Sequence, residues 1–168
     1  MSAVVRAATR ADAAEIARIY NEGIEDRVGT FETEPRSADD VLGWIEAGFP
    51  LVVAETAPGE VAAWASAPPY RAHRPAYAGV ADFSIYVARP ARGQGLGRVT
   101  LAALIAESEG RGYWKLVSRI FPENEPSLRL CRALGFREVG TYRRHAKLDG
   151  IWRDVVIVEL LLGEAAGG

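Results

Sequence analysis

Residues 80–98 read VADFSIYVARPARGQGLGR, and this stretch decides the fold. Its first half alternates: Asp82, Ser84 and Tyr86 are interleaved with Phe83, Ile85 and Val87. A period of two separates a polar face from a core face, so Val80 to Ala88 is expected to be one strand. The second half, Arg92-Gly93-Gln94-Gly95-Leu96-Gly97-Arg98, leads into the apolar pattern of Leu96 to Glu109, a helix closed by Gly110 and Gly112. Glycines between a strand and a helix let backbone N–H groups converge with no Cβ in the way, beside the positive end of the helix. The loop is therefore a candidate phosphate cradle, and Arg92 and Arg98 could add charge-assisted bonds. Other phosphate motifs fail on spacing. A Walker A loop or a dinucleotide fingerprint starting at Gly93 needs glycine at position 98, which is Arg98.

Upstream, Val4 to Ala7 reads as a strand. Thr9 and Asp12 resemble a capping box before a helix with Ile16, Ile19, Tyr20 and Ile24 on its apolar face. Ser37 and Asp40 open a second helix, ended by Gly48 and Pro50, and Leu51 to Glu55 and Val61 to Ala67 read as a hairpin. Downstream come a strand (Lys115 to Ile120), a helix (Pro126 to Leu134) and two strands (Phe136 to Leu148, Ile151 to Leu162) joined by Asp149-Gly150, a two-residue hairpin signal. This order predicts an α/β (α+β) domain with a mixed, mostly antiparallel sheet of about seven strands flanked by about four helices. It spans residues 1–162, with 163–168 a frayed tail.

The 168 residues correspond to one domain at roughly 150 residues each. With 20 Lys+Arg against 22 Asp+Glu there is no domain-wide positive field, which argues against general nucleic-acid binding. A single cysteine, Cys131, permits no internal disulfide, and His73 and His145 with it write no zinc spacing, so no metal is expected. The N-terminus reaches acidic residues before any apolar run of signal length, and no apolar run is long enough to span a membrane. A cytoplasmic protein with no membrane association is the expectation.

Two spaced motifs carry a family resemblance. Arg92 to Gly97 resembles the Arg/Gln-x-x-Gly-x-Gly/Ala pyrophosphate loop of GNAT-type N-acetyltransferases, and Asn124-Glu125-Pro126-Ser127 followed by Leu134-Gly135-Phe136 resembles their later motif. Within that superfamily the chain is similar to the phosphinothricin and arsinothricin acetyltransferase group. Thr30-Phe31-Glu32-Thr33-Glu34-Pro35, the Arg/Tyr loop before Asp82, Ile85-Tyr86-Val87, Lys147, Trp152 and Asp154 all carry that likeness. The resemblance implies direct acetyl transfer from acetyl-CoA to a primary amine in a ternary complex. It also implies cofactor contacts at Ile85, Tyr86, Val87, Arg92, Gly93, Gln94, Gly95, Leu96, Gly97, Arg98, Asn124 and Ser127. Thr30 and Phe31 would form one wall for the acceptor, and the late hairpin would make a homodimer contact that completes the site.

An amine must lose a proton before it attacks, and a positioned carboxylate can take it directly or through water. Alternation places Asp82 on the polar face of the strand leading to the glycine loop; the resembling group carries glutamate there. The resemblance also implies that backbone N–H groups near Val87 hold the developing oxyanion, provided strand pairing is broken there. The leaving thiolate is served in related enzymes by tyrosine or histidine; the matching residue here is Cys131, which either donates a proton or only packs. Tyr70, Arg71, His73, Arg74 and Tyr77 form the densest cationic and aromatic loop. Arginine pairs bidentately with carboxylates and oxyacids, so Arg71 and Arg74, with Tyr77, are candidates to hold a small amino-acid-like substrate. The function expected is N-acetylation of an amino acid or toxic analogue of the phosphinothricin, arsinothricin or methionine sulfoximine type. The alternatives are acetylation of a protein or peptide amine, or a non-catalytic acyl-CoA sensor.

Overall fold

The computed structural model describes residues 2–167. Strand β1 (Val4–Ala7) leads through a turn in which the Asp12 carboxylate accepts from the Thr9 amide at 2.7 Å, and helix α1 (Ala13–Asp26) follows. Helix α2 (Ala38–Ala47) is bracketed by its expected signals. Asp40 and Ser37 exchange capping bonds at 2.8 and 3.1 Å, and Gly48 ends the helix at φ 79°. The hairpin β2 (Leu51–Ala57) and β3 (Glu60–Ser66) turns at Gly59, whose φ of 82° favours glycine.

The expected single strand from Val80 to Ala88 is two. Strand β4 (Val80–Asp82) pairs in parallel with β6 (Lys115–Ile120), whereas β5 (Ser84–Val87) pairs antiparallel with β3. The sheet is accordingly split, and about seven strands become eight in two four-stranded sheets, ordered β1-β2-β3-β5 and β4-β6-β8-β7. The physical reason lies at Phe83. Its amide still donates to Val117 at 2.9 Å, the last backbone bond toward β6, its carbonyl accepts from the Ser118 hydroxyl at 3.0 Å, and beyond it, among the described residues, the β6 edge of β5 has no neighbouring strand. The alternation of side chains continues unbroken through Phe83, so the pattern reads as one strand although the pairing partner changes.

Helix α3 (Leu96–Gly110), helix α4 (Glu125–Ala133) and the long hairpin β7 (Arg137–Leu148) and β8 (Ile151–Leu161) complete the chain. The hairpin turns at Asp149 and Gly150, both at positive φ, as the Asp-Gly signal requires. Ile16, Ile19 and Val41 of α1 and α2 pack with Val53 and Trp64 of the first sheet in one core. Leu101 and Leu104 of α3 join Leu128 and Cys131 of α4 and Phe83, Leu116 and Val158 in another. Each large apolar side chain so enclosed contributes about 1.5–3 kcal/mol. Gly163–Gly167 of the tail make a short 3-10 turn, and the Gly163 amide donates to Glu109 at 2.9 Å; Gly168 lies outside the described residues. Among the described residues no helix is long and apolar enough to cross a membrane.

Candidate active site

Where the two sheets part, a cleft of about 800 Å³ opens. One end is the glycine loop. Gly93 and Gly95 stand at φ 76° and 83°, and a Cβ on either would meet no atom within 4 Å. Their bare faces therefore border open space. Gly95 is also the N-cap of α3, whose first-turn amides at Leu96, Gly97 and Arg98 have no acceptor four residues back. A concave run of free amides at a helix N-terminus, with Arg98 beside it, suits a diphosphate. Arg92 lines the same wall, but its guanidinium is engaged: it pairs with Asp26 at 2.8 Å and donates through Nε to the Val87 carbonyl at 3.0 Å. Burial would raise the Asp26 pKa, but hydrogen bonds from Arg89 and Arg92 outweigh it and hold the carboxyl below its ordinary value. Gln94 points elsewhere, donating to the Pro90 carbonyl at 3.3 Å and bordering a shallower hollow.

The middle of the cleft is the exposed edge of β5. Along this strand the Ala88 amide donates to Ala62 and the Asp82 amide to Pro68, so even-numbered amides face β3. Odd-numbered ones face the opening, as Phe83 does in reaching Val117. By that alternation the amides of Ile85 and Val87 lie on the unpaired edge, where an oxyanion could be held. Tyr86 lines the cleft as well, with its ring anchored against neighbouring elements. Its ring stacks on Trp64 with centroids 5.0 Å apart and lies against Gly23, where an added Cβ would sit 2.7 Å from ring carbons. Burial pushes its hydroxyl well above the ordinary tyrosine pKa.

Asp82 ends β4 in the cleft wall, half-buried, and Arg119 donates to its Oδ1 at 3.1 Å. Burial raises the Asp82 pKa above the usual aspartate value, while the adjacent guanidinium pulls the other way without cancelling it. Arg119 is not among the residues singled out from the sequence, although the strand pattern carries a signal for it. In Lys115 to Ile120 a period of two puts Val117 and Arg119 on one face, and Val117 is the register partner of Asp82.

Thr30 and Phe31 lie in the opposite wall, and Phe31 packs edge-on against Phe121 at 4.8 Å. Asn124 and Ser127 close the far side, where Asn124 Oδ1 accepts from the Ser127 amide at 3.4 Å and caps α4. Cys131 borders the cleft too, although it is almost wholly buried in the core formed with α3. Burial, helped by the charge of Glu138, pushes its thiol up to about 12. Arg71, Arg74 and Tyr77 are not brought to the cleft. They form an exposed cluster with Tyr70, the Arg71 guanidinium lying 5.3 and 5.9 Å from the Tyr70 and Tyr77 rings and that of Arg74 6.0 Å from Tyr77.

The chain is similar to known proteins over most of its length. The family described as Acetyltransferase (GNAT) family matches residues 15–136. The phosphinothricin N-acetyltransferase of Streptomyces viridochromogenes is 36% identical over 154 residues, 90% of this chain and 83% of the relative. The L-methionine sulfoximine/L-methionine sulfone acetyltransferase of Pseudomonas paraeruginosa is 32% identical over 166 residues, 96% of each chain. Among solved structures, a GNAT superfamily phosphinothricin acetyltransferase from Sinorhizobium meliloti in complex with AcCoA superposes with a TM-score of 0.92 at 31% identity, covering 100% of this chain and 92% of that one.

Proposed function

Since the chain belongs to the GNAT acetyltransferase family and is an acetyl-CoA-dependent N-acetyltransferase, we propose that its acceptor is the α-amine of a small amino acid or an acidic analogue of one. The compounds named for its relatives, phosphinothricin, methionine sulfoximine and methionine sulfone, define the class, with arsinothricin as a further member. The observation that carries this reading is the single cleft joining the glycine loop to Asp82, walled by the unpaired β5 edge and the Thr30–Phe31 segment.

In this reading the free amides of Gly93 to Arg98 hold the diphosphate, and Asn124 and Ser127 flank the arm that leads to the thioester. Acetyl-CoA supplies the activated acyl group. Asp82 takes the proton from the acceptor ammonium, and the amides of Ile85 and Val87 hold negative charge on the reacting oxygen. As the C–N bond forms and the C–S bond breaks, CoA would leave as the thiolate and take up the second proton released by the acceptor nitrogen, directly or through water, so that Cys131 acts as wall rather than acid. A thiol near 12 is a weaker acid than a free thiol at about 8.5, so giving its proton to a leaving thiolate would be uphill.

Measuring thiol release from acetyl-CoA with phosphinothricin, arsinothricin, methionine sulfoximine, methionine sulfone, common amino acids and a short peptide tests the acceptor. At least one free amino acid or analogue is expected to exceed the peptide by at least about tenfold in kcat/KM. A peptide that outperforms all of them overturns the reading.

A homodimer through the β7–β8 hairpin belongs to the same proposal. Tyr142, Ile151 and Trp152 are each more than half exposed there, an apolar surface suited to a second copy. Light scattering is expected to give twice the monomer mass, and a monomer at assay concentration removes the dimer. The cytoplasm, where acetyl-CoA is available, is the proposed compartment.

A further inference from the structure

Arg119 and Asp82 form an ion pair inside the acceptor half of the cleft, and none of the roles above uses the arginine. Building on the amino-acid reading of the acceptor, we propose that Arg119 is the residue that binds the acceptor's α-carboxylate. The pair would open to receive a zwitterion, Asp82 facing its ammonium and Arg119 its carboxylate.

The other candidate cations stand elsewhere. Arg92 is held by Asp26 and the Val87 carbonyl, and Arg98 stands in the first turn of α3 beside the glycine loop. Arg129 lies on α4, on the side of Asn124 and Ser127. Arg71 and Arg74 lie outside the cleft, stacked on tyrosines. Arg119 is the cation within hydrogen-bond reach of Asp82.

Arg119 is also available. Among the described residues, the 3.1 Å contact is the only hydrogen bond its side chain makes, so most of its five N–H donors are uncommitted. The carboxylates that might compete are occupied: Glu159 by Lys115 and Arg137, Glu123 by Arg153. Both members of the Asp82–Arg119 pair are partly solvent-exposed, and such a pair contributes little by itself, at most about 1 kcal/mol. Exchanging it for two pairs with a ligand is therefore inexpensive.

Geometry supports the exchange. Asp82 ends the β4 ladder at its register with Val117, and Arg119 lies two residues further along the same face of β6, where β5 has already turned away to β3. Opposite charges in contact at the mouth of this opening match a ligand whose ammonium and carboxylate are borne on one carbon. A guanidinium fork grips such a carboxylate through two parallel bonds, which a lysine cannot reproduce.

The test compares wild type, Arg119→Gln and Arg119→Lys on the best acceptor from the panel above and on its carboxamide, which keeps the amine and lacks the negative charge. For Arg119→Gln, KM for the acid is expected to rise at least about 30-fold with kcat within about threefold, Arg119→Lys falling between. The carboxamide, where it turns over, is expected to change by less than about threefold, because both substrates need Asp82 equally. A KM for the acid within about threefold of wild type overturns the inference, as does an equal rise for the carboxamide, which would mean that Arg119 acts through Asp82. If the wild type releases thiol with other amines and with no α-amino acid, the acceptor reading itself has failed, a result visible before Arg119 is changed.

Discussion

Asp82→Asn is expected to lower kcat by about 10²- to 10³-fold, the range a positioned general base supplies. The amide keeps the shape of the side chain and can still accept from Arg119, so the loss isolates the proton-accepting role. Because burial raises the Asp82 pKa, the acid limb of the wild-type pH profile should be shifted upward from the ordinary aspartate value. In the variant that limb disappears, and the residual rate follows the acceptor's own deprotonation at alkaline pH. Stability moves the other way. A carboxyl whose pKa is raised by folding contributes stability that is fully present below its unfolded pKa and is lost as pH rises through the folded value. Above that folded value the contribution is gone, and there the Tm of the variant should be equal or slightly higher, offset only by the small worth of the Arg119 pair. A kcat within about threefold of wild type would show that the amine loses its proton to water before it meets the enzyme.

The residues that were legible in the sequence share a cause. Gly93, Gly95 and Gly150 answer local demands for positive φ, and Ser37 with Asp40 answers a local capping demand, so a short window suffices to read them. Asp82 was readable because alternation alone assigns it a face. The hand-off at Phe83 was hidden because side-chain facing is unchanged there and only the neighbouring strand differs, a property of the tertiary pairing. Arg92 illustrates the same limit. Its motif fits a phosphate contact, yet its partner Asp26 lies on another element, and no window around the loop reveals it. The Arg71 and Arg74 loop shows a different limit: dense charge and aromatics read as a binding surface, but a sequence window does not show that the guanidinia lie over neighbouring tyrosine rings outside the cleft lining. Arg119 needed one further step, carrying the alternation of β6 across to its parallel partner.

Gly95→Asn tests the glycine loop with the fold held nearly constant. Asparagine visits the left-handed region more readily than other side-chain-bearing residues, and a Cβ at Gly95 meets no protein atom within 4 Å, so the variant should fold with a modest loss of stability, about 1 kcal/mol. The new side chain would occupy the open space that the free amides face. KM for acetyl-CoA is expected to rise about 100-fold, the loss of one or two charge-assisted bonds at about 1.5–3 kcal/mol each. Gly59→Asn is the matched control. Gly59 has nearly the same φ, 82° against 83°, and equally open surroundings, but it turns the β2–β3 hairpin away from the cleft. Both variants carry the same backbone cost, so their Tm values should fall alike, while only Gly95→Asn should weaken the cofactor. Equal KM values for acetyl-CoA in the two would mean that the diphosphate is held elsewhere, and the orientation of the whole cleft, from glycine loop to Asp82, would have to be reversed or abandoned.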